Sequence, residues 1–196
     1  MRIVGGRFRG RQLATPRGLA IRPTSNRVRE ALFDILQHGT RANLSLTVPQ
    51  NAIVLDVFAG TGAIGFEALS RGAAHVTFIE KDASACRMIE KNSRSLDFTV
   101  DMTLLRRNAL RPADPPKGAK TADLLFLDPP YRSKTAAPTL QALHTRGWLS
   151  KMALSILEIA SDEIFEPPPG FVSIDERRYG DTTLVFLRSE GFAEPT

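Results

Sequence analysis

A single cysteine in 196 residues leaves no partner for an internal disulfide and suits a reducing compartment. Cys86 shares apolar helical spacing with Ile89 and Leu96, which predicts core packing rather than catalysis. The three histidines, His38, His75 and His144, show no ligand spacing, so no metal centre is expected. No apolar run is long enough to span a bilayer, and Met1-Arg2-Ile3-Val4-Gly5-Gly6 lacks the apolar core of a secretory signal. A cytoplasmic protein without a membrane partner is expected. Acid is missing from the start of the chain: the first acidic residue is Glu30, preceded by Arg2, Arg7, Arg9, Arg11, Arg17, Arg22, Arg27 and Arg29. A stretch of one sign repels itself unless a counter-charge is supplied, and phosphates supply one. The whole chain carries a net charge of +5, which points the same way.

Within that basic segment, Ile3 to Leu13 combines paired glycines with short alternating stretches, which predicts a small hairpin or extended arm. Arg22-Pro23-Thr24-Ser25-Asn26 then opens a helix, with Thr24 or Ser25 as N-cap. Val28, Ala31, Leu32, Ile35 and Leu36 form its apolar face, and His38-Gly39 ends it. Arg27 and Arg29 are expected to project away from that stripe. The segment 1–45 reads as a nucleic-acid-binding extension, with 46–190 as the main domain.

From Asn51 onward strands and helices alternate. The expected strands are Ile53-Val54-Leu55 closed by Asp56, His75 to Ile79 closed by Glu80, Val100 to Leu105, Leu124 to Leu127, Ala153 to Ile159, and a terminal hairpin of Phe171–Tyr179 with Thr182–Leu187. Helices are expected over Ala63–Ser70, from Asp82 to about Leu96, and around Leu140 and Leu143. The Pro-rich stretch from Arg111 to Thr121 reads as a surface connection. The sum is an α/β fold: a mostly parallel sheet with helices on both faces and one antiparallel strand.

Such sheets bind ligands at the carboxyl ends of their strands, and that is where the polar residues fall. Gly60-x-Gly62-x-x-Gly65 matches the dinucleotide fingerprint, and Glu80 stands about 20 residues on, where a ribose acid belongs. A nicotinamide oxidoreductase is therefore one reading. Asp56 opposes it, because a carboxylate leading into the loop repels a pyrophosphate. S-adenosylmethionine carries an ammonium, a sulfonium and a diol instead. Asp56 suits its amino-acid end, Glu80 its ribose and Asn108 its adenine edge. Asp128-Pro129-Pro130-Tyr131 follows the fourth strand: a carboxylate, a rigid turn and an aromatic ring suit a planar base bearing an exocyclic amine.

These residues together resemble one family. Arg2-Ile3-Val4-Gly5-Gly6-Arg7-Phe8-Arg9-Gly10-Arg11 is similar to its opening. So is Arg22-Pro23-Thr24-Ser25-Asn26-Arg27-Val28-Arg29-Glu30-Ala31-Leu32-Phe33, apart from Asn26, where the family usually carries Asp. Leu55-Asp56-Val57-Phe58-Ala59-Gly60-Thr61-Gly62, Gly65 to Ala73, Asn108-Ala109 and Asp128-Pro129-Pro130-Tyr131 complete the match. The family is RsmD, the guanine-N2 methyltransferases of 16S ribosomal RNA.

The resemblance implies a Rossmann-like class I methyltransferase fold with a seven-stranded sheet. It implies S-adenosylmethionine as donor, S-adenosylhomocysteine as product and no metal. Asp56, Phe58, Gly60, Gly62, Glu80, Asn108, Ala109 and Asp128 would line the cofactor. Asp128, Pro129, Pro130 and Tyr131 would hold the guanine, with Asp128 and the Pro129 carbonyl accepting from its amine and Tyr131 stacking on its plane. Arg2, Arg7, Arg9, Arg11, Arg22, Arg27 and Arg29 would contact RNA, free or in an assembling small subunit, and the protein would act as a monomer. Two alternatives stand beside it: a DNA adenine-N6 methyltransferase, and a non-catalytic RNA-binding module with a vestigial cofactor pocket.

Overall fold

The computed structural model of the protein describes residues 1–15, 26–38 and 49–189. Its seven strands are β1 (Ile53–Val57), β2 (His75–Glu80), β3 (Met102–Arg106), β4 (Ala122–Leu127), β5 (Leu149–Ala160), β6 (Phe171–Tyr179) and β7 (Thr182–Ser189). They form one sheet in the order β3-β2-β1-β4-β5-β7-β6. β1 to β5 pair in parallel, and β7 runs antiparallel to both β5 and β6. The fold is the Rossmann-like methyltransferase fold expected from the sequence. The central strands are apolar on both sides because both faces are covered, which is why they read as continuous apolar runs.

The helices are α1 (Asn26–His38), α2 (Ala63–Ser70), α3 (Ala83–Leu96) and α4 (Ala136–Thr145). Residues from α1, α2 and α3 share one core with one face of the sheet, and α4 packs in a second core on the other. Asp82 caps α3 by accepting from the Ser84 and Ala85 amides, as expected of a helix-opening Asp. Cys86 lies in the core, also as expected.

The third strand begins at Met102 rather than Val100. The chain is still turning there: Asp97 takes a left-handed φ of 58°, and the Asp101 amide closes a turn on the Phe98 carbonyl. The fifth strand begins at Leu149, earlier than expected. Leu149 pairs with Ala122, and an irregularity between Ala122 and Leu124 absorbs the extra residues.

The basic start forms the small hairpin-like arm expected of it. Arg2 and Gln12 pair antiparallel, and the Ile3 amide donates to the Arg11 carbonyl at 3.0 Å. This arm lies on α2. The Val4 amide donates to Glu67 Oε2 at 2.8 Å, Ser70 Oγ donates to the Gly5 carbonyl at 2.7 Å, and the Phe8 amide donates to Ser70 Oγ at 3.0 Å. The paired glycines permit this contact. A Cβ at Gly6, whose φ is +70°, would sit 1.9 Å from the Ser70 carbonyl oxygen. Ile3 and Leu13 are buried in the same core as Val28, Leu32, Phe33 and Leu36 of α1. Phe33 packs on Phe126 of β4 with ring centroids 5.7 Å apart.

Candidate active site

The chain runs outward from β1 through β2 to β3, then returns to place β4 on the other side of β1. The β1/β4 junction is therefore the topological switch point, where a crevice opens at the strand ends. Asp56 stands on β1, and Asp128 follows the last residue of β4. The Asp128 amide donates to the Val57 carbonyl at 3.3 Å, fixing one strand end against the other.

Asp56 is buried, and its Oδ2 accepts from the Gly65 amide at 2.9 Å. Burial pushes its carboxyl up to about 7; the Gly65 bond opposes the rise and the Glu80 charge adds to it. Two consequences follow. The amide at the start of α2 that a pyrophosphate would use already holds an internal carboxylate, so the dinucleotide reading loses its anion site. A carboxylate raised in this way is stabilised by a cation, which the amino-acid and sulfonium end of S-adenosylmethionine provides. Gly65 itself is required by close packing, since a Cβ there would lie 2.2 Å from the Phe78 ring.

Glu80 ends β2 and braces the same loop. Its Oε2 accepts from the Gly60 amide at 2.9 Å, and its Oε1 accepts from the Asp82 amide at 2.7 Å. Phe58 enters the loop with φ 59°, a left-handed conformation that costs a bulky residue about 1–2 kcal/mol. Such strain persists where the surroundings hold it in place, often at a ligand site. Beyond β3, Asn108 is exposed, its Oδ1 accepting from the Leu110 amide at 3.1 Å, while Ala109 is buried. The residues present fit the expected cofactor in kind: the carboxylates of Asp56 and Glu80 would suit a cationic, diol-bearing ligand, and the polar turn at Asn108 would suit an adenine edge.

Across the switch point, Pro129 is buried, Pro130 is exposed and Tyr131 is half-buried. The Tyr131 hydroxyl donates to Glu158 Oε1 at 2.9 Å and lies 2.9 Å from Thr182 Oγ1. Burial, with the Glu158 charge, pushes the phenol up to about 12, so it stays protonated and can keep donating. Asp128 keeps some exposure, yet its carboxyl is held well above the ordinary carboxylate range by burial first, then by the charges of Glu158 and Asp56. The next residues are strained too, with left-handed φ of 57° at Arg132 and 56° at Lys134. The Arg132 amide donates to Glu163 Oε2 at 3.1 Å, and its guanidinium pairs with Asp162 at 2.8 Å, tying this turn to the segment after β5.

Sequence reasoning missed Glu158, Thr182, Glu67 and Asn92. Glu158 carried the same signal as the residues it identified: an acid near the end of an apolar strand. Asn92, on α3, accepts from the Ala14 amide at 2.7 Å and donates to the carbonyls of Ala14 at 3.2 Å and Thr61 at 3.3 Å. It thus joins the end of the basic arm to the glycine loop, a contact no local pattern announces.

The arginines divide. Arg2, Arg7, Arg9, Arg11 and Arg27 are exposed, with Arg7 also stacked over Phe8 and Phe98 at 4.7 and 4.9 Å. Arg22 lies outside the described residues, as do Arg17, Pro23 and the expected N-caps Thr24 and Ser25. Arg29 is a correction. It does not project from the helix: it is fully buried, 3.5 Å from Glu67 Oε2, and donates to the Arg2 carbonyl and to Asn26 Oδ1. A buried guanidinium has no face to offer a phosphate, so Arg29 leaves the set of RNA contacts.

The chain has clear relatives. The model of a family described as conserved hypothetical protein 95 matches residues 1–188. A Haemophilus influenzae protein named ribosomal RNA small subunit methyltransferase D is 32% identical over 181 residues, covering 92% of this chain and 89% of its own. The Escherichia coli K12 protein of the same name is 38% identical over 158 residues, covering 81% and 74%. The solved structure of Escherichia coli yhhF superposes with a TM-score of 0.80 at 32% identity, covering 97% of this chain and 98% of the other. By motif, by full-length match and by fold, this chain belongs to the RsmD family.

Proposed function

We propose that the protein is an rRNA methyltransferase that moves a methyl group from S-adenosylmethionine to the exocyclic N2 amine of a guanine in 16S ribosomal RNA. The observation that carries this reading is the pairing at the switch point. Asp56 occupies the α2 terminus and calls for a cationic donor, and Asp128-Pro129-Pro130-Tyr131 faces it across β1/β4. The names of the relatives support ribosomal RNA as the substrate class. When bound, the cofactor supplies an electrophilic methyl on a sulfonium. Asp56 and the glycine loop would hold its amino-acid end, Glu80 its diol, and Asn108 and Ala109 its adenine.

The protein's own residues do the rest by orientation. Asp128 accepts one N–H of the guanine amine and the Pro129 carbonyl accepts the other. This turns the nitrogen lone pair out of conjugation with the ring and toward the methyl. Tyr131, its hydroxyl held by Glu158 and Thr182, presents a fixed ring on which the base stacks, worth about 1–3 kcal/mol per base. Holding both reactants in a near-attack arrangement supplies up to roughly 7–11 kcal/mol of the barrier. Asp128 need not be a strong base: the nitrogen becomes acidic only as the new bond forms, and water can take the proton afterwards. Removing the base from its stack costs a few kcal/mol, which phosphate contacts of the basic arm offset.

Mass-spectrometric mapping of methylated guanines in 16S RNA, from cells with and without the protein, tests the reading. One guanine should lose its N2 methyl. Asp128→Ala should lower methyl transfer by about 100-fold or more while S-adenosylhomocysteine still binds. Full activity in that variant, or methylation of DNA in preference to RNA, would overturn the proposal.

A further inference from the structure

Glu158 stands beside Asp128 in a way the resemblance does not account for. Leu127 and Leu157 are partners in the parallel β4–β5 pair, so Asp128 and Glu158 are the next residues on neighbouring strands, about 4.8 Å apart at the backbone. Side chains alternate along a strand, so both carboxylates lie on one face. It is the face of Phe126 and Ile156, covered by α1 and continuous with the basic arm. Tyr131 donates its hydroxyl to Glu158 Oε1, which places that carboxylate at the ring on which the base would stack. The Glu158 charge also reaches Asp128 strongly enough to raise its carboxyl.

Two acceptors side by side call for two donors side by side. Among the nucleobases, guanine offers such a pair on its Watson–Crick edge: the N1–H next to the N2 amine. Adenine and cytosine place a lone pair next to their amines, and a carboxylate opposite a lone pair is repulsive. We propose that Glu158 is a specificity-determining residue that accepts the N1–H of the target base while Asp128 accepts from its amine. The site would thereby select guanine. This rests on the amine-methylation reading and adds to it the group that chooses the base. Tyr131 contributes by aligning the carboxylate: its hydroxyl donates to one oxygen of Glu158 and has Thr182 of β7 as a second neighbour.

2-Aminopurine tests the assignment because it keeps the N2 amine but has a lone pair at N1. RNA carrying the mapped guanine, or 2-aminopurine in its place, is compared as substrate. The wild-type protein should prefer guanine by at least about 100-fold in kcat/KM, with about 10,000-fold or more reached where a site is built fully around a substrate N–H. Glu158→Gln, whose amide can accept or donate, should cut that preference to less than about tenfold. Thr182→Val leaves the Tyr131–Glu158 hydrogen bond in place and removes only the second partner of the hydroxyl, so it should keep the preference, whatever it does to the rate with both substrates. Should turnover of a variant fall below detection, competitive binding of the two RNAs in S-adenosylhomocysteine reads the ground-state part of the preference, which should fall in Glu158→Gln and persist in Thr182→Val. An unchanged preference in Glu158→Gln, or an equal collapse in Thr182→Val, overturns the assignment and reduces Glu158 to a support for Tyr131. Absence of methyl transfer to any guanine by the wild-type protein is a different result, and it overturns the underlying reaction instead.

Discussion

Asp56 illustrates how one residue can report on the cofactor. Its ordinary carboxyl value is 3.8 and burial raises it to about 7. A raised folded-state value means that the folded protein binds the proton more tightly than the unfolded chain does. The associated stability is therefore present in acid and is lost as pH climbs from about 4 through 7. A cation beside the carboxylate reverses the shift by favouring the charged form. Binding of S-adenosylmethionine at pH 6 should then release about one proton, and at pH 8 almost none, with affinity rising up to about tenfold per pH unit between pH 5 and 7. Calorimetry in two buffers of different ionisation enthalpy measures this directly. Equal heats in both buffers at pH 6 would separate Asp56 from the ligand's charge. Asn26 is a second informative residue: its Oδ1 accepts from Arg29 at 2.9 Å, a bond that Asp, usual in the family, would also make and would strengthen with charge.

At the scale of elements, the contact between the arm and α2 depends on Glu67. This fully buried carboxylate accepts from the Val4 amide and from Arg71 Nε, both at 2.8 Å, and faces the Arg29 guanidinium. Among the described residues, two nitrogens of Arg29 have no hydrogen-bond partner, and burial lowers its pKa despite Glu67. Glu67→Ala would leave that charge uncompensated, which costs about 3–5 kcal/mol. At about 2–4 °C per kcal/mol for a chain of this size, thermal unfolding followed by circular dichroism should show a midpoint roughly 10 °C lower. A change of less than about 2 °C would mean that the arm is not held by this charge cluster.

The cluster also marks where the sequence stopped being legible. The sheet, its antiparallel strand, the Asp82 cap and the residues at strand ends were all readable, because each follows from local periodicity or turn chemistry. Arg29 was misread because helical spacing places it outside the stripe of Val28, Leu32 and Leu36. Only the tertiary partner, Glu67 on α2, explains its burial. Asn92 was missed for the same reason, since its partners Ala14 and Thr61 lie on other elements; Glu158 stood at a readable strand end, and only its partner Tyr131 was beyond local pattern.

For the whole molecule, the basic start serves the fold, and its exposed arginines are the groups the proposed function assigns to RNA. The arm contributes Ile3 and Leu13 to the core, each worth about 1.5–3 kcal/mol of apolar burial. Truncating it would therefore unsettle the protein and would not isolate RNA binding. Charge removal at exposed positions is the cleaner experiment. Arg2, Arg9 and Arg11 are exposed on the arm, whereas Arg7 also stacks on Phe8 and Phe98. Replacing Arg2, Arg9 and Arg11 with Gln should leave the unfolding midpoint within about 2 °C of wild type, because exposed substitutions typically change stability by about 0.5 kcal/mol or less. RNA affinity should fall at low salt. If all three arginines neutralise phosphates, the slope of log K against log salt should become shallower by about 2, at roughly 0.7 per single-strand phosphate contact. Filter binding to 16S RNA between 50 and 300 mM potassium chloride gives the slope. An unaltered slope would mean that the phosphates lie elsewhere, and the positive charge of the arm would then serve solvation alone.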